Sequence, residues 1–278
     1  MIFISYDNMI MMQQAMAWEI VRQKSMGNPS KLSRLWCHED IYHVLTKNRG
    51  TEEIEGISLD MSKIEDLDLH QHAFVNMHQL RFLKFYTSSY EKNANKVRGF
   101  ESLESDFDEL RYLSWYKYPF KSLPSWFHPE RLVTVEMHYS SVEQLWNGVQ
   151  HLGSLKEIDL SFSEHLTNWA DLSSFPNLER LILKCCTNLR EIPSSIQYLS
   201  KLNFLNLTNC TRLTSLPDCS GLTSLRKLVL SYCSNLKMLP EMPCDIEELR
   251  FTGTAIEQLP SSIENQSRLV ILDLNHFA

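Results

Sequence analysis

Apolar residues recur along this chain in a fixed three-place pattern of the form LxxLxL. The copies are Leu110-Leu113-Trp115, Leu132-Val135-Met137, Leu155-Ile158-Leu160 and Leu178-Leu181-Leu183. They continue as Leu202-Leu205-Leu207, Leu225-Leu228-Leu230, Ile246-Leu249-Phe251 and Leu269-Leu272-Leu274. Their first places are 22, 23, 23, 24, 23, 21 and 23 residues apart. A further copy, Leu80-Leu83-Phe85, lies 30 residues before Leu110, and a weaker one, Ile54-Ile57-Leu59, lies 26 before that. Apolar places two residues apart put both side chains on one face of an extended chain, so each copy predicts a short strand with one buried face. The polar stretch 88–96 in the longest gap predicts an inserted surface loop.

The period and pattern are those of the leucine-rich repeat, an α/β solenoid with a curved parallel sheet on one side and irregular chain on the other. Three residues past the third apolar place stand Cys186, Cys210 and Cys233, with Ser140, Ser163 and Thr254 in other copies. Small side chains of this kind can reach backbone groups where the chain leaves the strand. The repeat-region cysteines are accordingly read as structural ladder residues, with one side chain of the Cys185-Cys186 pair pointing in and one out. The second half of the unit also repeats, as Leu123-Pro124, Ile192-Pro193, Leu216-Pro217, Leu239-Pro240 and Leu259-Pro260. Proline cannot continue a ladder, so it marks a turn on the convex side. Ser194-Ser195-Ile196 and Ser261-Ser262-Ile263 follow two of these and predict one more buried apolar place each. Stacked repeats bury a continuous core that one repeat alone cannot.

Residues 1–50 do not keep the period. They predict a helix over 15–24, a turn at 27–30 and a second helix over 39–47 with Ile41, Val44 and Leu45 as its stripe and Gly50 as its stop. The expected organisation is a helical segment at 1–50 and about ten repeats over 51–278.

Composition narrows the function. Of 278 residues, 27 are Lys or Arg and 34 Asp or Glu, giving a net charge of −7 that disfavours a nucleic-acid binder. The first 50 residues hold 6 basic and 4 acidic groups, so the acidic excess lies in the repeats. No apolar run is long enough for a membrane span, and no secretory signal is recognisable at 1–12. The 7 cysteines, odd in number and without a CxxC pair, read as reduced thiols.

No catalytic constellation emerges. Gly148 and Gly153 have the gap of a P-loop, but Ser154-Leu155 follows where Lys and Ser or Thr are required. His70-Gln71-His72 offers two metal ligands with no third or fourth, and reads as a solvated pair. The sequons at Asn206, Asn209 and Asn265 would matter only in a secreted chain. We therefore expect neither an enzyme nor a metal site.

Binding remains. Side chains between the apolar places point out of the concave sheet. The middle column reads Ser114, Glu136, Asp159, Ile182, Asn206, Val229, Arg250 and Asp273, and its neighbour reads Tyr112, Thr134, Glu157, Arg180, Phe204, Lys227, Glu248 and Ile271. Beyond the strands stand Tyr116, His138, Tyr139, Phe162, Lys184 and Tyr232. Aromatic groups beside mixed charges are what protein-binding faces use. The candidate face comprises Tyr112, Tyr116, Glu136, His138, Glu157, Asp159, Arg180, Lys184, Phe204, Asn206, Lys227, Tyr232 and Arg250. The bland alternative is ordinary solvated strand surface.

Several segments resemble one family. Trp18 to Gln23, Ser33-Arg34-Leu35-Trp36 and His38-Glu39-Asp40-Ile41 look like the end of the nucleotide-binding region of plant intracellular immune receptors. Gly56-Ile57-Ser58-Leu59-Asp60, Leu110 to Trp115 and Val142-Glu143-Gln144-Leu145-Trp146 resemble the first repeats of the class with TIR, nucleotide-binding and leucine-rich-repeat parts. The resemblance implies a non-catalytic module that binds a pathogen effector or a guarded host protein and restrains the nucleotide-binding domain in the cytoplasm. It implies no cofactor in this chain, because the family holds ADP or ATP through upstream residues. The family's Met-His-Asp motif falls at Met9-Ile10-Met11, which lack the His and Asp. Two other readings stay open. The first is a truncated or decayed receptor fragment, suggested by that motif and by a chain that stops within a repeat. The second is an extracellular repeat receptor or inhibitor, which would carry a glycine before Ile-Pro where Leu189 to Pro193 has none.

Overall fold

The structure is a computed structural model that describes residues 28–89, 95–146, 152–167, 169 and 171–273. The helix expected over 15–24 and the Met9-Ile10-Met11 segment lie outside the described residues, as do Gly148 and the last residues of the chain. The described chain divides into two compact units, residues 28–89 with 96–107, and residue 95 with 108–273.

In the first unit, β1 (Arg34–Leu35) precedes one α-helix, α1 (His38–Thr46), and four more strands: β2 (Gly56–Asp60), β3 (Leu67–Asp68), β4 (Phe82–Tyr86) and β5 (Val97–Arg98). β1, β2 and β4 form a parallel ladder in which Leu35, Ile57 and Leu83 align and are buried. The parallel ladder thus takes in Arg34–Leu35, a segment that had given no strand signal, because two residues are too few to show a period. β3 pairs with β5, just after the polar stretch expected to be a loop. Helix α1 forms where expected, with Glu39 and Asp40 in its first turn and Ile41, Val44 and Leu45 buried. Gly50 does not stop it. The helix ends at Thr46, and Asn48 takes the left-handed conformation (φ 50°). Gly50 is needed for close packing instead, since a Cβ there would stand 2.6 Å from Met77 Cε and 2.8 Å from the Ala73 carbonyl oxygen.

The second unit is the regular one. It stacks β6 (Tyr112–Trp115), β7 (Thr134–Glu136), β8 (Glu157–Asp159), β9 (Arg180–Ile182), β10 (Phe204–Asn206), β11 (Lys227–Val229), β12 (Glu248–Arg250) and β13 (Ile271–Asp273). Each pairs in parallel with the next, in sequence order. The register places Leu113, Val135, Ile158, Leu181, Leu205, Leu228 and Leu249 in one buried column. This is the central apolar place of the pattern, and its burial fixes the register, since a slip of one residue would turn every leucine outward.

The ladder at the strand exits is also as expected. The thiols of Cys186, Cys210 and Cys233 donate to the carbonyls of Leu160, Leu183 and Leu207 at 3.2, 3.1 and 3.0 Å. In the earlier repeats Ser140 and Ser163 hydroxyls meet at 2.7 Å, and Ser163 donates to Met137 at 3.0 Å. Burial pushes the Cys186 and Cys233 thiols up to about 12, so they stay protonated donors. Cys185 is only half-buried, beside a fully buried Cys186. Cys219 and Cys244 correct the wider reading, because they lie outside this ladder, Cys219 buried and Cys244 exposed.

On the convex side the residues two before proline form parallel bridges, Glu191 to Ser215 and Met238 to Gln258. The Ser-Ser-Ile segments are short 3-10 turns whose second serine caps the preceding repeat. Ser195 accepts from Leu172 N–H and Ser262 from Met242 N–H, each at 2.9 Å. Ile196 is buried as expected, whereas Ile263 is only half-buried.

Candidate functional site

The strand register brings the candidate residues onto one face. Tyr112, Glu157, Arg180, Phe204 and Lys227 align in one column, with Thr134 in place between the first two. Glu136, Asp159, Asn206 and Arg250 lie in the next column. All are at least partly open to solvent. Tyr116, His138, Lys184 and Tyr232 stand past the strand ends, Lys184 and Tyr232 exposed.

The charges on this face mostly satisfy one another. Arg180 Nε lies 3.2 Å from Glu157 Oε1, and its guanidinium sits 4.4 Å from the centre of the Phe204 ring. Glu248 takes Lys227 at 3.3 Å and Arg250 at 2.5 Å, and these cations, Arg250 first, hold its carboxyl below its usual range. The Tyr112 hydroxyl donates to Glu136 at 2.5 Å. Burial, reinforced by that bond, raises the tyrosine well above its ordinary value. Two of the candidates close turns at the strand exits. Asp159 Oδ1 accepts from Ser161 N–H at 2.9 Å and Ser161 Oγ at 2.6 Å, while Oδ2 lies 3.1 Å from His138 Nε2. Burial works to raise Asp159, but the His138 and Ser161 contacts outweigh it and leave the carboxyl lowered. Asn206 accepts from Thr208 N–H at 3.0 Å in the same way.

One element was not legible as a group. Seven residues past each first apolar place, the backbone turns left-handed, at Lys117, Tyr139, Phe162, Cys185, Asn209, Tyr232 and Gly253. From Lys117 to Tyr232 the turn lets each N–H reach sideways to the next repeat, as in Tyr139 to Ser161 O at 3.0 Å, Phe162 to Lys184 O at 2.7 Å, and Tyr232 to Thr252 O at 2.7 Å. Such a conformation costs a side-chain-bearing residue about 1 kcal/mol or more, and a lateral hydrogen bond in each of these repeats offsets it. The turn carries side chains outward at the edge of the sheet. Tyr139 stacks on Phe162 at 4.6 Å with planes 5° apart, Tyr116 lies 5.3 Å from Tyr139, and Lys184 Nζ sits 5.5 Å from the Phe162 ring. Asn209 and Gly253, residue types that favour this conformation, were the signal in the sequence.

The paired histidines lie at the surface. His70 Nδ1 accepts from His72 N–H at 3.2 Å, and His72 Nε2 lies 3.3 Å from Glu104. Among the described residues, Cys37, His38 and Glu39 could converge on an ion, but they are consecutive residues whose Cys37 thiol already donates to Glu39 at 2.7 Å.

Sequence comparison places this geometry. The chain is 40% identical over 245 residues to the disease resistance protein LAZ5 of Arabidopsis thaliana, an alignment covering 87% of this chain and 21% of LAZ5. It is 42% identical to RPP2A of the same plant, over 92% of this chain and 20% of the relative. With RPP2B it shares 39% identity over 99% of this chain and 23% of the relative. Over most of its own length the chain is similar to plant disease resistance proteins. It spans about one fifth of the length of these relatives. No family model matches it. Among solved structures, the leucine-rich-repeat domain of the type III effector XopL is 24% identical, with a TM-score of 0.47, covering 68% of this chain and 61% of that one. The repeat architecture stands on the strand register itself. Among the described residues no helix is long and apolar enough to cross a membrane.

Proposed function

We propose that this chain is a protein-recognition and autoregulatory module of a cytoplasmic plant immune receptor. It binds a pathogen effector or a guarded host protein and restrains a nucleotide-binding domain, which in the intact receptor holds ADP or ATP. The carrying observation is the register that lays aromatic and charged candidates side by side on β6 to β12, within a disease resistance relative. Binding of a protein ligand then releases the restraint through its different affinity for the two states. The intramolecular pairing of Arg180 with Glu157 and of Glu248 with Lys227 and Arg250 pre-orders these side chains, which lowers the entropy lost on binding.

Co-purification from plant cells of the tagged chain with a TIR plus nucleotide-binding fragment of a related receptor tests the reading. Capture is expected, and so is its loss in a Glu157→Arg, Arg180→Glu double variant, which keeps the internal pair but inverts the pattern offered to a partner. Recovery of chaperones alone, with rapid degradation, would overturn it in favour of a decayed fragment.

A further inference from the structure

The concave face of the first unit differs from the one described so far. Its three-strand ladder aligns Arg34, Gly56 and Phe82 across β1, β2 and β4, and Ser58 with Lys84 across β2 and β4. The middle strand therefore carries only a hydrogen atom and a hydroxymethyl group between large neighbours. Strands lie about 4.8 Å apart, so the missing bulk on β2 leaves a depression about two strand spacings wide. A cavity of about 620 Å³ fills it, floored by Gly56, Ile57 and Ser58. That volume lies within the roughly 300–1,000 Å³ of small-molecule sites.

Its walls are aromatic and cationic. Trp36 stands on the β1 side, and Phe82 and Tyr86 on the β4 side. Arg34, Arg81 and Lys84 supply three positive charges, and Glu55 the one carboxylate in the lining. None of the three cations has an ion-pair partner among the described residues. Among the described residues Arg81 reaches Gln79 Oε1, at 3.4 Å, and Lys84 Nζ lies over the Tyr86 ring, 5.4 Å from its centre. The neighbouring Asp60 carboxylate is occupied elsewhere, accepting from Ser62 N–H at 3.0 Å and Ser88 N–H at 3.1 Å.

We propose that this cavity is a binding site for a small anionic ligand with a planar ring, of the nucleoside-phosphate type. The ring lies over the Gly56–Ser58 floor between the β1 and β4 walls, where the small side chains of β2 leave no bulk beneath it. The phosphate lies among Arg34, Arg81 and Lys84. Guanidinium groups match its oxygens in pairs, and lysine adds a point charge. Glu55 accepts from a ribose hydroxyl or a ring amine. A peptide fits less well, because the depression is bounded by side chains of β1 and β4 rather than running on as a groove.

Calorimetric titration of the full chain with ADP, AMP, inorganic phosphate and a tetraglutamate peptide is the test. ADP is expected to bind saturably, more tightly than phosphate alone, and to weaken as salt is raised. Arg34→Ala with Lys84→Ala should weaken ADP about tenfold or more. Ser58→Trp should abolish binding by filling the floor. Lys237→Ala, at an exposed place on the second unit, should leave it unchanged. All variants are solvent-facing, and circular dichroism confirms that each is folded. Absence of ADP binding by the folded chain overturns the site, as does binding indifferent to the double variant. Tighter binding of tetraglutamate than of ADP also overturns it, pointing to an acidic protein segment.

Discussion

The two units present the same kind of sheet with opposite electrostatic habits. On β6 to β13 the charges of the concave columns answer one another, Arg180 to Glu157, and Lys227 and Arg250 to Glu248. On β1, β2 and β4 three cations gather around a floor of small residues with Glu55 as the one carboxylate in the lining, and none of them is in an ion pair among the described residues. A self-neutralised surface offers a partner shape and aromatic area, since its charges are already engaged. An unanswered cluster offers a field and awaits its counter-charge. One repeat pattern thus supplies both a broad recognition face and a local anion cradle, and the difference rests on which residues fill the places between the leucines.

The deepest break in the comparison is expected below both faces, in the columns they share. Leu205→Ala in the second unit and Ile57→Ala in the first each empty a fully buried place, and each should cost about 2–5 kcal/mol in urea unfolding. Costs near zero would show that the ladder register is not what supports the faces. Next comes Gly253→Ala, which forces a side chain into a left-handed turn (φ 71°) with Cβ 2.8 Å from Tyr232 Cδ1. A loss of about 1–2 kcal/mol is expected. The equivalent Asn209→Gly should be neutral or slightly stabilising if the turn is as described.

The charge contrast itself is sharpened by a smaller effect. Arg180→Glu sets like charges side by side and removes the cation from Phe204, so about 1 kcal/mol should be lost, and Glu157→Arg in the same chain should restore most of it. Arg34→Glu should change stability by less than about 0.5 kcal/mol, because it breaks no ion pair among the described residues. The smallest effect is in acid. Asp159 is lowered in the folded chain, so its contribution is fully present above the ordinary aspartate value and is lost as pH falls from there through the lowered one. Asp159→Asn should flatten the stability profile in that window and nowhere else, as chemical denaturation at a series of pH values would show.

Much of this was legible in the chain. The buried columns as far as β12, the strand positions, the cysteine and serine ladder and the membership of the concave face follow from a period near 23 with alternating burial, whereas in the last copy Leu269 is half-buried and Leu272 is exposed. Helix α1 was legible because its apolar stripe and acidic first turn are local. The misreadings share one cause. Gly50 looked like a helix stop, but Met77 and Ala73 press against it from outside its own segment. Arg34–Leu35 joined a ladder that only its neighbour β2 could reveal. The cavity was missed although Gly56, Ser58, Phe82 and Lys84 already stood between the apolar places of the two earliest copies.

By itself the sequence determined the solenoid and its inward and outward places, because burial at a fixed period is written into each repeat separately. Only the tertiary structure decided which outward residues meet. Arg250–Glu248 and Lys84–Tyr86 share a strand, but most partners here lie 21 to 24 residues apart, one repeat along, and whether such a side chain meets a carboxylate or a ring depends on the residue the neighbouring repeat sets beside it. The same holds for the left-handed turns from Lys117 to Tyr232, which are tolerated because the next repeat supplies a carbonyl for each N–H they turn outward.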